Sequence, residues 1–481
     1  MTPEHEHFLE LAAAAIDFEL SPADATGLAR HLATCPACSQ AARAIRDDAR
    51  LIASLPVRTM SVDRARGALA ATLRPGRSAG TLRLALLAAV LALLAIGGLS
   101  VGAALVRHLL DTSVVVKATP TPPTGLPTAQ VSPTPEVSSR VAGWSIGDKL
   151  ITPRSDLAAA LLGDGRVLVT GGHDASLSAS STVELIDPAS DVSSPAADMG
   201  TARELHAEVV LPDGSVLVVG GVGRDGKSLA TSELYDPAAN RWAAGPALAQ
   251  ARSAFAAVRL ADGNVLIVGG FGTSGGALAS AELYDWRTRT FSAAGSMTDG
   301  RAKCSAIALD SGAVLVAGGQ GGTGKSLATA ELFDPTTERW MSAATMHTAR
   351  RLFTAIRLPD GTVLVAGGFA STATPTSDTE IYDAPTNTWT AVPPMATGRD
   401  VHGAALLTDG RVLIVGGSSA GSRLASTELF DPAERLWAAG PALGLARAYF
   451  AVVVIGDGPV LVIGGDDDRG NPLDTTEIYV P

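Results

Sequence analysis

The chain has 481 residues, 46% of them apolar and 18% charged, which excludes disorder along its whole length. A formal net charge of −11 excludes a protein built to coat nucleic acid, and three cysteines exclude a disulfide-dense secreted scaffold. With only 4% aromatic residues, any large core has to be built mainly from Ala, Val and Leu.

The first element is a small all-α head over residues 1–75. Ser21-Pro22-Ala23-Asp24 reads as a helix start, with Ser as N-cap, Pro at the first helical position and an acid in the first turn. That helix runs into His31-Leu-Ala-Thr-Cys35-Pro-Ala-Cys38. His31 and Cys35 are four residues apart, so one helical turn places both side chains on the same face. Cys35 and Cys38 have the spacing that points two thiolates at one ion. Tetrahedral zinc requires a fourth ligand, and His5 and His7 stand upstream as candidates. Two thiolates and two neutral imidazoles cancel the charge of the ion, which suits a partly buried site. The competing readings of the cysteines are two buried metal-free thiols and a dithiol redox pair.

His5, Glu19-Leu20-Ser21-Pro22 and His31-x-x-x-Cys35-Pro-x-Cys38 together resemble the zinc-binding anti-sigma domain of bacterial membrane regulators. The resemblance covers residues 1–75 and implies a small helical domain that wraps an extracytoplasmic-function (ECF) sigma factor and blocks its contact with RNA polymerase. It implies His5, His31, Cys35 and Cys38 as the zinc ligands, because the family places a Cys or His ahead of the motif histidine at the spacing that separates His5 from His31. His7 stands in reserve. Phe18 departs from the family, which often has Gly there. The amphipathic stretch from Val62 to Leu73 matches the final helix that the family lays on its partner.

Residues 84–106 form the next element, 23 residues without a charge. At about 1.5 Å rise per residue they reach roughly 34 Å, enough for a hydrocarbon core of about 30 Å. Arg64, Arg66, Arg74, Arg77 and Arg83 crowd the N-terminal flank, while Arg107 and Lys117 follow the stretch. The positive-inside rule then predicts a single-pass protein of the cell membrane, N-terminus cytoplasmic and C-terminal part extracytoplasmic. Gly98 and Gly102 form a GxxxG that can pair two spans into a homodimer. Residues 107–140 read as a linker, with six prolines between Ala118 and Arg140 that favour an extended chain.

Residues 141–481 are repetitive. Gly-Gly doublets begin at Gly171, Gly220, Gly269, Gly318, Gly367, Gly416 and Gly464, spaced by 49 residues five times and then by 48. Each follows an apolar run, and each run follows an Asp-Gly or Ser-Gly hairpin turn such as Asp164-Gly165. Later in each unit stand a Glu (Glu233-Leu-Tyr-Asp236 is typical), then in most units a Trp, and an Arg ten residues after it. Four short strands per unit, seven times over, resemble the kelch β-propeller. The last unit ends at Glu477-Ile-Tyr-Val-Pro481 without a Trp strand, whereas Trp144 stands alone ahead of the first unit. The N-terminal Trp strand is therefore expected to complete the last blade and close the ring.

Several local signals lose weight inside this repeat. Gly221 to Ser228 and Gly319 to Ser326 match the phosphate-loop pattern, but a strand rather than a helix follows each. Arg154, Arg203, Arg252, Arg301, Arg350, Arg399 and Arg447 recur once per unit, as do seven glutamates from Glu184 to Glu477, which points to structural pairing rather than catalysis. Asp466, Asp467, Asp468 and Asp474 offer oxygen ligands to calcium, with a solvated loop as the competing reading. Copper oxidases also use this fold, but Cys304 and the histidines His173, His206, His347 and His402 form no visible convergent set.

The expected architecture is multidomain: a zinc-binding helical head, one transmembrane helix, a linker and an all-β seven-bladed propeller. The expected function is that of a membrane-anchored anti-sigma regulator, not an enzyme. Its partners would be an ECF sigma factor inside and an unidentified protein or glycan outside, with no direct contact to nucleic acid. The alternative is a cell-surface adhesion or carbohydrate-binding module with a vestigial zinc head.

Overall fold

The computed structural model describes His31 and residues 142–370, 374–456 and 458–481. His31 lies in a helix. The rest of the expected head, the apolar stretch 84–106 and the linker 107–140 lie outside the described residues. Among the described residues no helix is long and apolar enough to cross a membrane.

From Gly143 onward the chain folds into seven four-stranded antiparallel sheets. Blade one is made of Ala158–Leu161, Val167–Thr170, Val183–Asp187 and Val192–Pro195, paired in chain order. Blades two to six repeat this arrangement, their first strands starting at Ala207, Ala256, Ser305, Thr354 and Gly403. Blade seven takes Ala451–Val454, Val460–Ile463 and Thr476–Val480 from the end of the chain. Its fourth strand is Gly143–Ile146, which pairs antiparallel with Thr476–Val480 in the register Gly143 to Val480 and Ile146 to Glu477. The two ends of the repeat thus close the ring as the lone Trp144 predicts, and every blade has its full set of four strands.

The turn residues explain the first hairpin of each unit. Asp164 Oδ1 accepts the backbone N–H of Arg166 at 3.0 Å, and Gly165 takes the left-handed conformation at φ +88°. The apolar runs that follow are buried at every position because each blade is covered on both faces. Val167 and Val169 pack against Leu461 and Ile463 of blade seven, while Leu168 between them packs against Val216 and Val218 of blade two. The core is consequently seven separate seams between neighbouring blades.

The Gly-Gly doublet sits where neighbouring backbones touch. Gly220 and Gly221 both have positive φ, at +63° and +96°. A Cβ on Gly220 would stand 2.6 Å from the ring of Phe255 and 2.7 Å from the carbonyl of Arg252 in the next blade. On the outer strands, Trp242 Nε1 donates to the carbonyl of Ala197 in the preceding blade at 2.7 Å and its ring packs on Tyr235, centroids 4.9 Å apart. Trp144 does the same for blade seven, donating to Pro441 and packing on Tyr479.

Candidate functional site

The seven arginines are buried clips. Arg154 donates to the carbonyls of Gly171 and Thr182 at 2.9 and 3.0 Å and to Glu184 at 2.5 Å. Glu184 also accepts the backbone N–H groups of Ile151 and Thr152, which lie on the crossover entering blade one. The Arg–Glu pair recurs in every blade at 2.5–2.8 Å. Burial pushes the Arg154 guanidinium below its ordinary value and the charge of Glu184 opposes that shift. Each pair thus fastens an interblade crossover to the body of a blade, which is a structural role.

The residue two positions after each arginine leads to the axis. Asp156, Leu205, Ala254, Lys303, Leu352, Val401 and Tyr449 all have positive φ, between +45° and +55°. The N–H of each of the first six donates to the carbonyl of its counterpart in the preceding blade, from Asp156 to Tyr449 round to Val401 to Leu352, at 2.7–3.2 Å. These six bonds link all seven blades in order around the propeller axis. Facing it are the residues that follow each doublet, joined to the arginine segments by isolated bridges such as Ser155 to His173 and Asp400 to Ser418.

This mouth is charged and aromatic. On one side, His173 Nδ1 lies 2.7 Å from Glu204 Oε2 and 3.6 Å from Asp156 Oδ2. Elsewhere Lys303 Nζ stands over the ring of Phe271 and the Arg351 guanidinium over that of Phe369, 5.6 and 4.4 Å from the centroids. Arg423 binds both carboxylate oxygens of Asp466 at 2.8 Å and lies over Tyr449. Burial raises the carboxyl of Asp400 to about 6, with Arg423 and Arg351 opposing. Burial, then the charge of Asp156, pushes the Tyr449 phenol up. Mixed charge beside aromatic faces, on a rigid ring, suits recognition of a small polar ligand.

The four expected zinc ligands divide: His31 is described, whereas His5, Cys35 and Cys38 lie outside the described residues. The aspartates Asp466, Asp467, Asp468 and Asp474 do not converge. Asp466 pairs with Arg423, Asp467 accepts the N–H groups of Arg469 and Asn471 in its own turn, and Asp474 pairs with Lys149 at 2.9 Å. Both phosphate-loop matches are hairpins without a following helix: Gly321 N–H donates to Lys325 O, and Ser326 Oγ donates to Phe369 O in the next blade. Among the described residues Cys304 and the four histidines do not come together, but His173 alone meets two carboxylates that the sequence reading did not single out, Asp156 and Glu204, with ligand atoms within 4.8 Å of one another. They come from two consecutive blades, Asp156 and His173 from blade one and Glu204 from blade two, and the packing of those two blades brings them together. Lining up the residues that follow Arg and Gly-Gly across the seven repeats would have exposed them. His206 and His402, by contrast, are held in the seams, where their Nε2 atoms bond Thr170 and Thr354 at 2.9 Å. The thiol of Cys304 is pushed up to about 11 by burial, away from thiolate chemistry.

Residues 254–465 match the KLHDC2/KLHL20/DRC7 Kelch-repeats domain family, and residues 156–200 match the Kelch motif. Residues 6–39 match a zinc-finger family, a span that takes in His7, His31, Cys35 and Cys38 and begins one residue after His5. Among curated proteins, no sequence matches the chain. Among solved structures, a fungal alcohol oxidase of the AA5 family in complex with copper superposes with a TM-score of 0.57 at 15% identity, over 71% of this chain and 77% of that one. At that identity the likeness is one of fold alone. The chain carries kelch repeats closed into a seven-bladed propeller, and ahead of them in the sequence an N-terminal segment of zinc-finger type.

Proposed function

We propose that the chain is a membrane-anchored regulator of the anti-sigma type, in which the N-terminal segment holds an ECF sigma factor in the cytoplasm and the propeller binds a ligand outside. The observation that carries this reading is the order of parts: a zinc-finger segment, an uncharged stretch of 23 residues, a proline-rich linker and a closed ring. His5, His31, Cys35 and Cys38 would hold one zinc ion, His7 serving if His5 does not. Two thiolates and two imidazoles are a donor set that zinc favours, and the ion would fix the fold of the head. The propeller is read as a binding module rather than an enzyme; the buried thiol of Cys304, pushed up by burial, speaks only against a thiolate nucleophile there.

The test is co-purification of the full chain, in detergent, with ECF sigma factors expressed beside it. Capture of one sigma factor, lost on Cys35→Ser with Cys38→Ser, is the expected result. Failure to bind or repress any of them removes the reading. Protease shaving of intact cells is expected to cut the propeller, and an uncut propeller that is cleaved after permeabilisation refutes the topology. The charged and aromatic mouth favours a second reading, a cell-surface module that binds glycan, which glycan binding without zinc in the head would support.

A further inference from the structure

The seam between blades one and two differs from the other six. At the position after the repeated arginine stand Ser155, Glu204, Ser253, Ala302, Arg351, Asp400 and Ala448; after the doublet stand His173, Val222, Phe271, Gln320, Phe369, Ser418 and Asp466. Groups that serve the architecture recur seven times here, as the Arg–Glu clips do. The set Asp156, His173 and Glu204 occurs once. Its side chains are 7%, 7% and 6% exposed, and their ligand atoms all lie within 4.8 Å of one another. One imidazole nitrogen and two carboxylate oxygens gathered this closely are a donor set for a divalent cation.

Deeper in the same seam is a second irregularity. Glu208 occupies a strand position filled by Ala or Val in the other blades, and Thr170 Oγ1 donates to its Oε2 at 2.5 Å. Glu208 Oε1 and His206 Nδ1 are buried there with no hydrogen-bond partner. Of these two, Glu208 is peculiar to this seam, whereas His206 has a counterpart in His402, whose Nδ1 is likewise buried without a hydrogen-bond partner.

We propose that Asp156, His173 and Glu204 bind a divalent first-row transition-metal ion at the axial mouth of the propeller. One nitrogen and two carboxylate oxygens form a donor set suited to zinc, manganese or iron. On an ion with bonds of about 2.1 Å, two ligand atoms stand roughly 3.0–4.2 Å apart. His173 Nδ1 and Asp156 Oδ2 already lie 3.6 Å apart, and His173 Nδ1 and Glu204 Oε2, 2.7 Å apart, need only open by a few tenths of an ångström. Three protein donors leave coordination positions for water or for an oxygen donor entering through the mouth. The ion would also tie blade one, which supplies Asp156 and His173, to blade two, which supplies Glu204. The site concerns the propeller alone and stands or falls independently of the sigma-factor reading.

The test uses the full chain in detergent, without a polyhistidine tag, carrying Cys35→Ser and Cys38→Ser so that the head contributes no thiolate. After chelation and dialysis the protein is titrated with Zn²⁺ and, separately, Mn²⁺. One equivalent bound, with a rise in melting temperature, is expected, and His173→Ala or Asp156→Asn with Glu204→Gln should weaken binding at least tenfold. A folded chain that takes up no metal, or His173→Ala that binds unchanged, overturns the proposal. If the variants do not fold, pulsed electron paramagnetic resonance of the Mn²⁺-loaded parent decides. Coupling to one imidazole nitrogen that persists when His5, His7 and His31 are replaced by Ala upholds the site, and its absence refutes it.

Discussion

Gly465 donates its backbone N–H to the carbonyl of Arg154 at 2.9 Å, across the seam where the last blade meets the first. The same bond runs from Gly172, Gly221, Gly270, Gly319, Gly368 and Gly417 to the arginine of the following blade, at 2.7–2.9 Å. The second glycine of each doublet and the arginine are therefore partners between blades, while the arginine side chain serves its own blade.

Crowding at the doublet separates two kinds of glycine. Gly220→Ala is expected to cost about 3 kcal/mol or more, because left-handed φ and a clash with Arg252 O and the Phe255 ring combine. Gly226 has a similar φ of +72° with nothing within 4 Å of where a methyl would stand, so Gly226→Ala should cost only about 1 kcal/mol. Chemical denaturation of the two variants measures the difference, and equal losses would contradict the seam argument.

The Arg–Glu clips give a second contrast. Arg301→Met leaves Glu331 charged and buried, and is expected to destabilise by about 3–5 kcal/mol. Adding Glu331→Gln should recover part of that loss, since the orphaned charge is removed. Strict additivity of the two substitutions in thermal melts would show that the pair is not coupled.

Much of this architecture was legible in the sequence. Gly-Gly at the seams and Asp-Gly at the hairpins answer to backbone conformation, which side chains of other shape cannot adopt cheaply, so they repeat in phase. Trp144 announced ring closure because the last unit ends at Tyr479-Val-Pro481 without a Trp strand. The mouth was not legible. Asp156, His173 and Glu204 sit at repeat positions, but their residue types do not recur from blade to blade, and their meeting depends on which of those positions face one another at the axis. Lys303 beside Phe271 and Arg351 beside Phe369 were hidden for the same reason.

Closure itself can be tested at Trp144. Trp144→Ala loses the packing on Tyr479, 5.2 Å between centroids, and the bond to Pro441 O at 2.9 Å. A loss of about 3 kcal/mol is expected. Removing Gly143–Ile146 should be worse and should promote association, because Thr476–Val480 becomes an open edge. A shortened chain that stays monomeric with an unchanged melting temperature would refute the closure.

Acid sensitivity follows from His402. Burial, with the charge of Arg399 adding, lowers its imidazole to about 3, against about 6.5 when unfolded. Between those values only the unfolded chain binds the proton. The folded state is therefore fully favoured above pH 6.5 and loses about 1.4 kcal/mol per pH unit through this group as pH falls towards 3. His402→Gln should flatten the dependence of stability on pH between about 5.5 and 4 relative to the parent. An unchanged slope would show that His402 is not the group responsible.

The strand Gly143–Ile146 is where the chain enters the ring, and it lies on the rim as the outermost member of blade seven. Any pull transmitted through the residues ahead of Gly143 falls first on the Gly143–Val480 end of that strand. Its ladder then opens like a zipper, one bonded pair after another, at far lower force than sliding the strand along its neighbour would demand. The clasp that seals the propeller is thus also where tension along the chain would act first, on blade seven before the other six.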